Sequence, residues 1–219
     1  MRTVHMFGIA VVVIVLIFGS VLFAASSEKV SSGTVAVVTR NGAAQEIADP
    51  GRVWLVPGIE DTETYQTSVI NLEFTGNEDA SKARYTDSVI SQKSKDGVDS
   101  NFAAMVYFQI PEDNIQTLYS ERGRSQDSLV QQHVQVITRD VARDVIEQNL
   151  IDDMYLGGME AASNQVEEKL QPRFEELGIE LKSFDFTAID PSDAYKQAIE
   201  QQKEQEQVAG NHTCHTRHQ

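Results

Sequence analysis

The sequence contains little that could crosslink it or draw it to nucleic acid. Its one cysteine, Cys214, leaves no partner for an internal disulfide. Lys and Arg together number 18 against 33 Asp and Glu, and the formal net charge is −15. A chain without a basic excess has little with which to displace counterions from phosphates. The charge therefore excludes nucleic acid as a partner and argues against docking of a globular face onto anionic lipid.

Motifs for catalysis are also missing. The sequence has no G-x-S-x-G, P-loop or H-E-x-x-H pattern. His133 borders the apolar stripe of a predicted helix, which favours a structural role over that of a general base. Asp152 and Asp153 are adjacent and do not face each other on a helix, so a helix start is favoured over a metal or acid–base pair. We predict no catalytic, cofactor or metal site and no enzyme activity.

The last segment, residues 210–219, is the main oddity of composition. Cys214 lies among His212, His215 and His218, which could supply zinc ligands. The segment is short, terminal and without a scaffold to hold a tetrahedral site. A disordered tail, an out-of-frame or truncated end, and a metal site stay open as interpretations.

A charge-free run extends from Met6 to Ser26. At 1.5 Å per residue it spans about 30 Å, the thickness of a bilayer core. A cleaved signal peptide has a shorter apolar region, and LFAAS is a poor cleavage site, so we predict a membrane anchor helix within residues 1–27. Arg2 precedes the run, whereas Glu28 offsets Lys29 after it. This charge bias favours a single-pass protein with a cytoplasmic N-terminus and the domain on the opposite side.

Turn dipeptides divide the next part of the chain into strands. Asn41-Gly42 predicts a hairpin, and Pro57-Gly58 suits the centre of a type II turn. The run Val53–Val56 is apolar on both faces, which predicts a well-covered strand, and residues 64–74 are interpreted as one further strand. Asp96-Gly97 joins two arms of a hairpin. The second arm should bury one face, formed by Phe102, Ala104, Val106, Phe108 and Ile110.

Helical periodicity follows after Pro111. One core stripe is predicted from Val130, Val134, Ile137, Val141 and Val145, and a second from Val166, Leu170, Phe174 and Leu177. Gly178 stands where a C-terminal cap is expected, and Pro172 should kink or delay the second helix. Asp190-Pro191 is interpreted as the N-cap and first residue of a polar helix over residues 190–209, the entrance of a coiled coil.

Three segments in this order resemble the band 7 family of stomatins, prohibitins and flotillins. They are DPGRVWLVPGIEDTETYQTSV, SKDGVDSNFAAMVYFQIPEDN, and the stretch from DDMYLGG to KEQEQ. The resemblance implies an α+β fold: an SPFH-like domain over residues 28–189, with a twisted, mostly antiparallel sheet packed by helices. Family members usually continue into a long coiled coil, whereas this sequence stops soon after entering one.

The resemblance also implies a function. The chain would be a membrane-anchored homo-oligomeric scaffold that contacts lipids through its N-terminal helix and organises membrane microdomains. A membrane-bound ATP-dependent (AAA) protease is an implied partner. The alternative is a monomeric, single-pass tethered domain that binds a ligand or a protein, for which a pocket with convergent polar groups is expected.

Overall fold

A computed structural model of the chain describes residues 26–121 and 125–202. These residues form β-strands and helices, so the predicted α+β class is confirmed. Residues 1–25 of the predicted anchor segment and residues 203–209 of the predicted coiled-coil entrance lie outside them. In the part of the chain that is described, no helix is long and apolar enough to cross a membrane. The described residues form two compact units: 26–70, 109–121, 125–134 and 174–180, and then 71–108, 135–173 and 181–202.

The strands of the first unit form two small antiparallel sheets. Strand β2 (Thr34–Arg40) lies between β3 (Ala43–Ala48) and β5 (Glu60–Gln66), while β1 (Ser27–Val30) pairs with β4 (Gly51–Trp54). The predicted hairpin turn between β2 and β3 is confirmed, because Asn41 and Gly42 both have positive φ, 52° and 80°.

The helical part of the first unit comprises α1 (Glu112–Glu121), α2 (Gln126–Leu129) and a π-helical turn (Val130–Val134). Gly178 caps residues 174–177 as predicted. Its N–H donates to Glu175 O, and the Ile179 N–H donates to Phe174 O, both at 2.9 Å. The φ of 77° favours glycine here, and a Cβ would lie 3.2 Å from the Asn114 amide nitrogen.

The second unit is built on a five-stranded sheet. Its order is β10 (Glu180–Pro191), β9 (Asp99–Gln109), β6 (Ile70–Phe74) and β7 (Tyr85–Asp87), and β8 (Ile90–Lys93) pairs antiparallel with the start of β9. The β6–β7 pair is parallel. A short 3-10 helix (Glu78–Ala80) precedes β7. The predicted buried face of β9 is confirmed, since all five of its apolar side chains, from Phe102 to Ile110, are fully buried.

The helices of the second unit follow one another with short breaks. They are α3 (Gln135–Gln148), α4 (Ile151–Asp153), a π-helical turn (Met154–Gly158), α5 (Met159–Leu177, whose last residues belong to the first unit) and a helix over residues 193–202. The predicted α5 stripe is buried. The helix runs through Pro172, so the predicted delay is wrong: Leu170 and Phe174, on either side, are both fully buried and hold the helix.

The other predicted stripe is only partly correct. Val130, Val134 and Val145 are fully buried, but Ile137 and Val141 stay partly exposed. Steps of 4, 4 and 3 from Val134 fit an α-helical face as well as the predicted steps do. The buried face of α3 follows them, through Thr138, Ala142 and Val145.

The turn between β8 and β9 is tied to the helices by Asp96. Its Oδ1 accepts hydrogen bonds from Ser94 Oγ (2.5 Å) and from the Ile151 N–H at the start of α4 (3.2 Å). Beside it, the Lys95 N–H donates to Asn149 O at 2.9 Å. The predicted Asp96-Gly97 turn is confirmed, with a φ of 83° at Gly97.

Three predicted elements are wrong in extent. The Val53–Val56 run is not well covered, because β4 is only four residues long and pairs with the polar strand β1. The strand predicted over residues 64–74 is two strands, since the Thr67 N–H bonds to Gly33 O and ends the β5 ladder. The helix predicted to open at Asp190 starts at residue 193, because β10 continues through Pro191 and the Ser192 N–H donates to Asp99 O.

We expect Asp96→Ala to destabilise the second unit by about 1–3 kcal/mol, because the Ile151 N–H loses its acceptor. Asp96→Asn keeps an amide oxygen in place and should cost less. Urea unfolding of the full chain in detergent measures both. The exposed Asp79→Ala is the matched control, and equal stability of the Asp96→Ala variant and this control would contradict the assigned role.

Candidate functional site

Residues 54–59, here called the apolar turn, carry the most concentrated exposed apolar surface of the first unit. Trp54 is 53 % exposed, Val56 47 % and Ile59 49 %, and Pro57 is also exposed. Large apolar side chains that lie together in water mark a contact with a membrane or another protein. The apolar turn is therefore our candidate functional site.

Local backbone bonds determine the shape of the apolar turn. The Ile59 N–H donates to Val56 O at 3.2 Å, and Gly58 has a φ of 80°, which confirms the predicted type II turn around Pro57-Gly58. The Glu60 N–H also donates to Val56 O, at 2.9 Å. The turn therefore presents its apolar side chains from a hydrogen-bonded backbone.

Glu60 supports the base of the apolar turn. Its Oε2 accepts the Val56 N–H at 2.9 Å, and its Oε1 accepts from Arg40 Nη2 at 2.5 Å and Nε at 3.1 Å. The Glu60 side chain is only 11 % exposed. The hydrogen bonds from Arg40, followed by that from Val56, hold the pKa of Glu60 below its ordinary value of 4.5.

Strand β1 places the apolar turn beside the end of the charge-free run. Ser27 pairs with Trp54, and the Leu55 N–H donates to Ser26 O at 2.6 Å. Ser26 is the last residue of that run. The Thr62 hydroxyl donates to Glu28, which further joins β1 to β5. The exposed apolar side chains thus lie where the chain leaves its most hydrophobic segment.

The side chains of the apolar turn suit transfer from water to the surface of a bilayer. An indole ring is amphipathic and is enriched at membrane–water interfaces, and Trp54 is the chain's only tryptophan. Valine, proline and isoleucine add apolar area without charge. The site can therefore insert into the surface of a bilayer without the positive charge that this chain lacks.

The comparison with protein families identifies the family of the chain. The model of the SPFH domain / Band 7 family matches residues 28–219. The chain belongs to this family. SPFH domains are in general membrane-associated scaffolds and generally not enzymes. A comparison with curated proteins found no match.

The second unit of the SPFH domain has an open polar groove of about 720 Å³. It lies over the ends of β8, β9 and β10, and its lining includes Lys93, Asp99, Asn101, Glu147 and Asp190. It is not the apolar pocket typical of small-molecule sites. Among the described residues, no group of three or more His, Cys, Asp or Glu could hold a metal ion.

The residues considered in the sequence are dispersed in the SPFH domain. His133 lies partly exposed in the first π-helical turn. Asp152 and Asp153 occupy the first turn of α4, as predicted, and Asp152 also accepts a hydrogen bond from the Tyr195 hydroxyl. Burial, together with this bond, raises the pKa of Tyr195. His212, Cys214, His215 and His218 lie outside the described residues.

Sequence reasoning missed the apolar turn as a site because it interpreted Val53–Val56 as a buried strand. A usable signal was nevertheless present. The Val53–Val56 run lies between two Pro-Gly steps, and Arg52 is its neighbour on the N-terminal side. A short apolar segment bounded by turns can equally be an exposed loop tip, and only its partner strand decides between the two.

Replacing Glu60 should loosen the apolar turn. Glu60→Ala removes the acceptor of the Val56 N–H, so the hydrogen exchange of this amide should become about tenfold faster. Glu60→Gln keeps an acceptor and loses only the charge. Its exchange rate at the Val56 amide should therefore lie between those of the parent chain and Glu60→Ala. NMR-detected exchange on the full chain in micelles measures this, with Glu46→Gln on β3 as the control.

The same bond should depend on pH. The folded-state pKa of Glu60 lies below its ordinary value of 4.5. The stabilisation that ionised Glu60 gives the apolar turn is therefore complete above pH 4.5, and it is lost as the pH falls through the folded-state pKa. After correction for intrinsic exchange, protection of the Val56 amide should fall on acidification in the parent chain only. An unchanged protection in Glu60→Ala at pH 7 would overturn the assignment.

Proposed function

We propose that the chain is a single-pass membrane-anchored scaffold, many copies of which lie side by side and organise lipids and proteins in membrane microdomains. The observation that carries this proposal is the apolar turn, held beside the end of the charge-free run. The anchor lies within residues 1–25, because Ser27 already belongs to β1. The apolar turn is a second, shallower contact of the domain with the same bilayer.

The short connection between the two contacts supports this proposal. Strand β1 begins directly after Ser26, and both Ser26 and Ser27 bond to the β4 end. The domain therefore cannot move far from the surface where the anchor emerges. Burying the exposed parts of Trp54, Val56 and Ile59 would add to the anchoring, at about 25 cal/mol per Å² of apolar area.

A second contact restricts how the domain can rotate on its anchor. A domain held by one flexible point samples many orientations, whereas a domain held by two points presents the same lateral faces to each neighbour. Copies with a common orientation can form repeated contacts that close into a ring. The mechanism is geometric, because the assembly recruits or excludes neighbours and no bond is made or broken.

The partners follow from the family alone. We infer homo-oligomers, with the polar helix from residue 193 onward as the entrance of an assembling coiled coil. A membrane-bound ATP-dependent protease, whose access to substrates such a ring would limit, is the candidate protein partner. The N-terminus would lie in the cytoplasm and the domain on the opposite side.

The second candidate function is that of a tethered monomeric binding domain. The polar groove of the second unit favours it, since side chains such as Lys93 and Asp99 could hydrogen-bond a polar ligand. This groove is open, and its Lys93 and Asp99 side chains are 64 % and 71 % exposed. Exposed charges contribute little free energy to a contact. We therefore expect the groove to bind a polar ligand only weakly, and we favour the scaffold over the tethered binding domain.

Trp54 provides a direct test of the membrane contact, because the chain has no other tryptophan. In the full chain reconstituted into vesicles, we expect lipids brominated near the glycerol backbone to quench Trp54 fluorescence. Lipids brominated near the end of the acyl chain should quench it less. The emission should also be shifted to the blue of a water-exposed indole.

The matched control moves the tryptophan within the same unit. Val69 is 50 % exposed and lies beyond the far end of β5, about 20 Å along the strand from Glu60. A Trp54→Phe/Val69→Trp chain should show no quenching. Emission from Trp54 that brominated lipids leave unchanged would refute the second contact.

The scaffold itself is tested by the mass of the detergent-extracted complex, measured by native mass spectrometry or light scattering. We expect a closed assembly of many copies. A monomer would instead favour the tethered binding domain.

A further inference from the structure

The junction between α3 and α5 exposes a second apolar cluster. Leu150 is 41 % exposed, Tyr155 41 % and Leu156 63 %, and these three side chains are here called the Leu156 knob. They all lie in the second unit.

The backbone holds the Leu156 knob outward. Gly157 has a φ of 132°, and a Cβ on Gly158 would lie 2.2 Å from Asp153 O, so only this glycine pair closes the π-helical turn. The Tyr155 ring packs edge-on against Tyr195 at a centroid distance of 6.1 Å. The Tyr195 hydroxyl donates to Asp152. The exposure of Leu156 is therefore a property of a fixed turn.

A groove between α3 and α5 in the same unit has the complementary character. Its volume is about 480 Å³, and Ile137, Val141 and Pro172 give it an apolar lining. Its charged lining residues are Asp140, Asp144, Lys169 and Arg173, and Lys169 pairs with Asp144 at 2.7 Å. Ile137 and Val141 are partly exposed at this groove.

The chain's own remaining segments are poor candidates to fill this groove. Residues 203–219 contain only Val208 and Ala209 as aliphatic residues. Residues 1–25 are assigned to the membrane by the proposed function. A second copy of the chain, by contrast, brings the Leu156 knob, with the exposed acid Asp153 beside it.

We propose that the Leu156 knob of one copy docks into the α3–α5 groove of the next. Leu156 and Tyr155 would cover Ile137, Val141 and Pro172, and Asp153 would approach Arg173 at the edge of the groove. This inference rests on the proposed function, because it names the lateral contact of the scaffold.

The contact is head-to-tail. Val141 in the groove lies within α3, whereas Leu150 in the knob follows the end of that helix, and the groove and the knob share no residue. Each copy therefore uses two different surfaces, and each docking leaves one knob and one groove free. Repetition of such a contact gives a closed ring if the rotation that relates neighbouring copies divides a full turn evenly.

Cysteine cross-linking of the reconstituted full chain tests this contact. In a Cys214→Ser background, chains with Leu156→Cys are mixed with chains with Val141→Cys and treated with a short bismaleimide. We expect a mixed dimer, and neither chain alone should cross-link. A chain with both cysteines should give a ladder of three and more copies. Asn164→Cys, an exposed position on α5 outside the groove, replaces Val141→Cys in the matched control.

Charge reversal in the same cross-linking assay tests the contact between Asp153 and Arg173. Asp153→Arg and Arg173→Asp should each slow formation of the mixed dimer about threefold, and the two together should restore it. Slowing without restoration would overturn the Asp153–Arg173 pairing.

The outcomes separate this inference from the function on which it rests. A complex of many copies without the Leu156–Val141 cross-link would overturn the docking and leave the scaffold standing. A double-cysteine chain that stops at dimers would overturn the head-to-tail arrangement. A single-copy mass would overturn the scaffold and the docking together.

Discussion

The pairing of β1 with β4 is the constraint on which the functional interpretation depends. It ties the first described residues to the apolar turn, so the place where the chain leaves its hydrophobic run is also the place where Trp54, Val56 and Ile59 are exposed. Arg40 and Glu60 support the turn from beneath. A strongly acidic domain can thus meet a bilayer through apolar side chains rather than through positive charge.

The helices of the second unit expose apolar residues in two places. The buried face of α3 passes through Thr138 and Ala142, and it leaves Ile137 and Val141 at a groove. The π-helical turn closed by Gly157 and Gly158 exposes Leu156. The unit therefore has one apolar hollow and one apolar projection.

Polar side chains of the second unit join its loops to its helices. Asp96 joins a hairpin turn to the start of α4, and Arg139 bonds to Ser88 O and Val89 O while it pairs with Asp87 and lies over the Phe74 ring. These bonds hold loops against helices. Such an arrangement suits a scaffold, whose function is to keep its surfaces in place.

Features that depend on local backbone geometry were determined by the sequence alone. The Asn41-Gly42, Pro57-Gly58 and Asp96-Gly97 turns, the Gly178 cap and the buried face of β9 all follow from φ preferences and period-two alternation. Only the tertiary structure decided that Trp54, Val56 and Ile59 are exposed and that Ile137 and Val141 are partly exposed. It also decided that β10 extends through Pro191. An apolar residue signals that it can be buried, but which element covers it depends on partners distant in sequence. The exposed surfaces that carry the proposed function are therefore the features that no local pattern could supply.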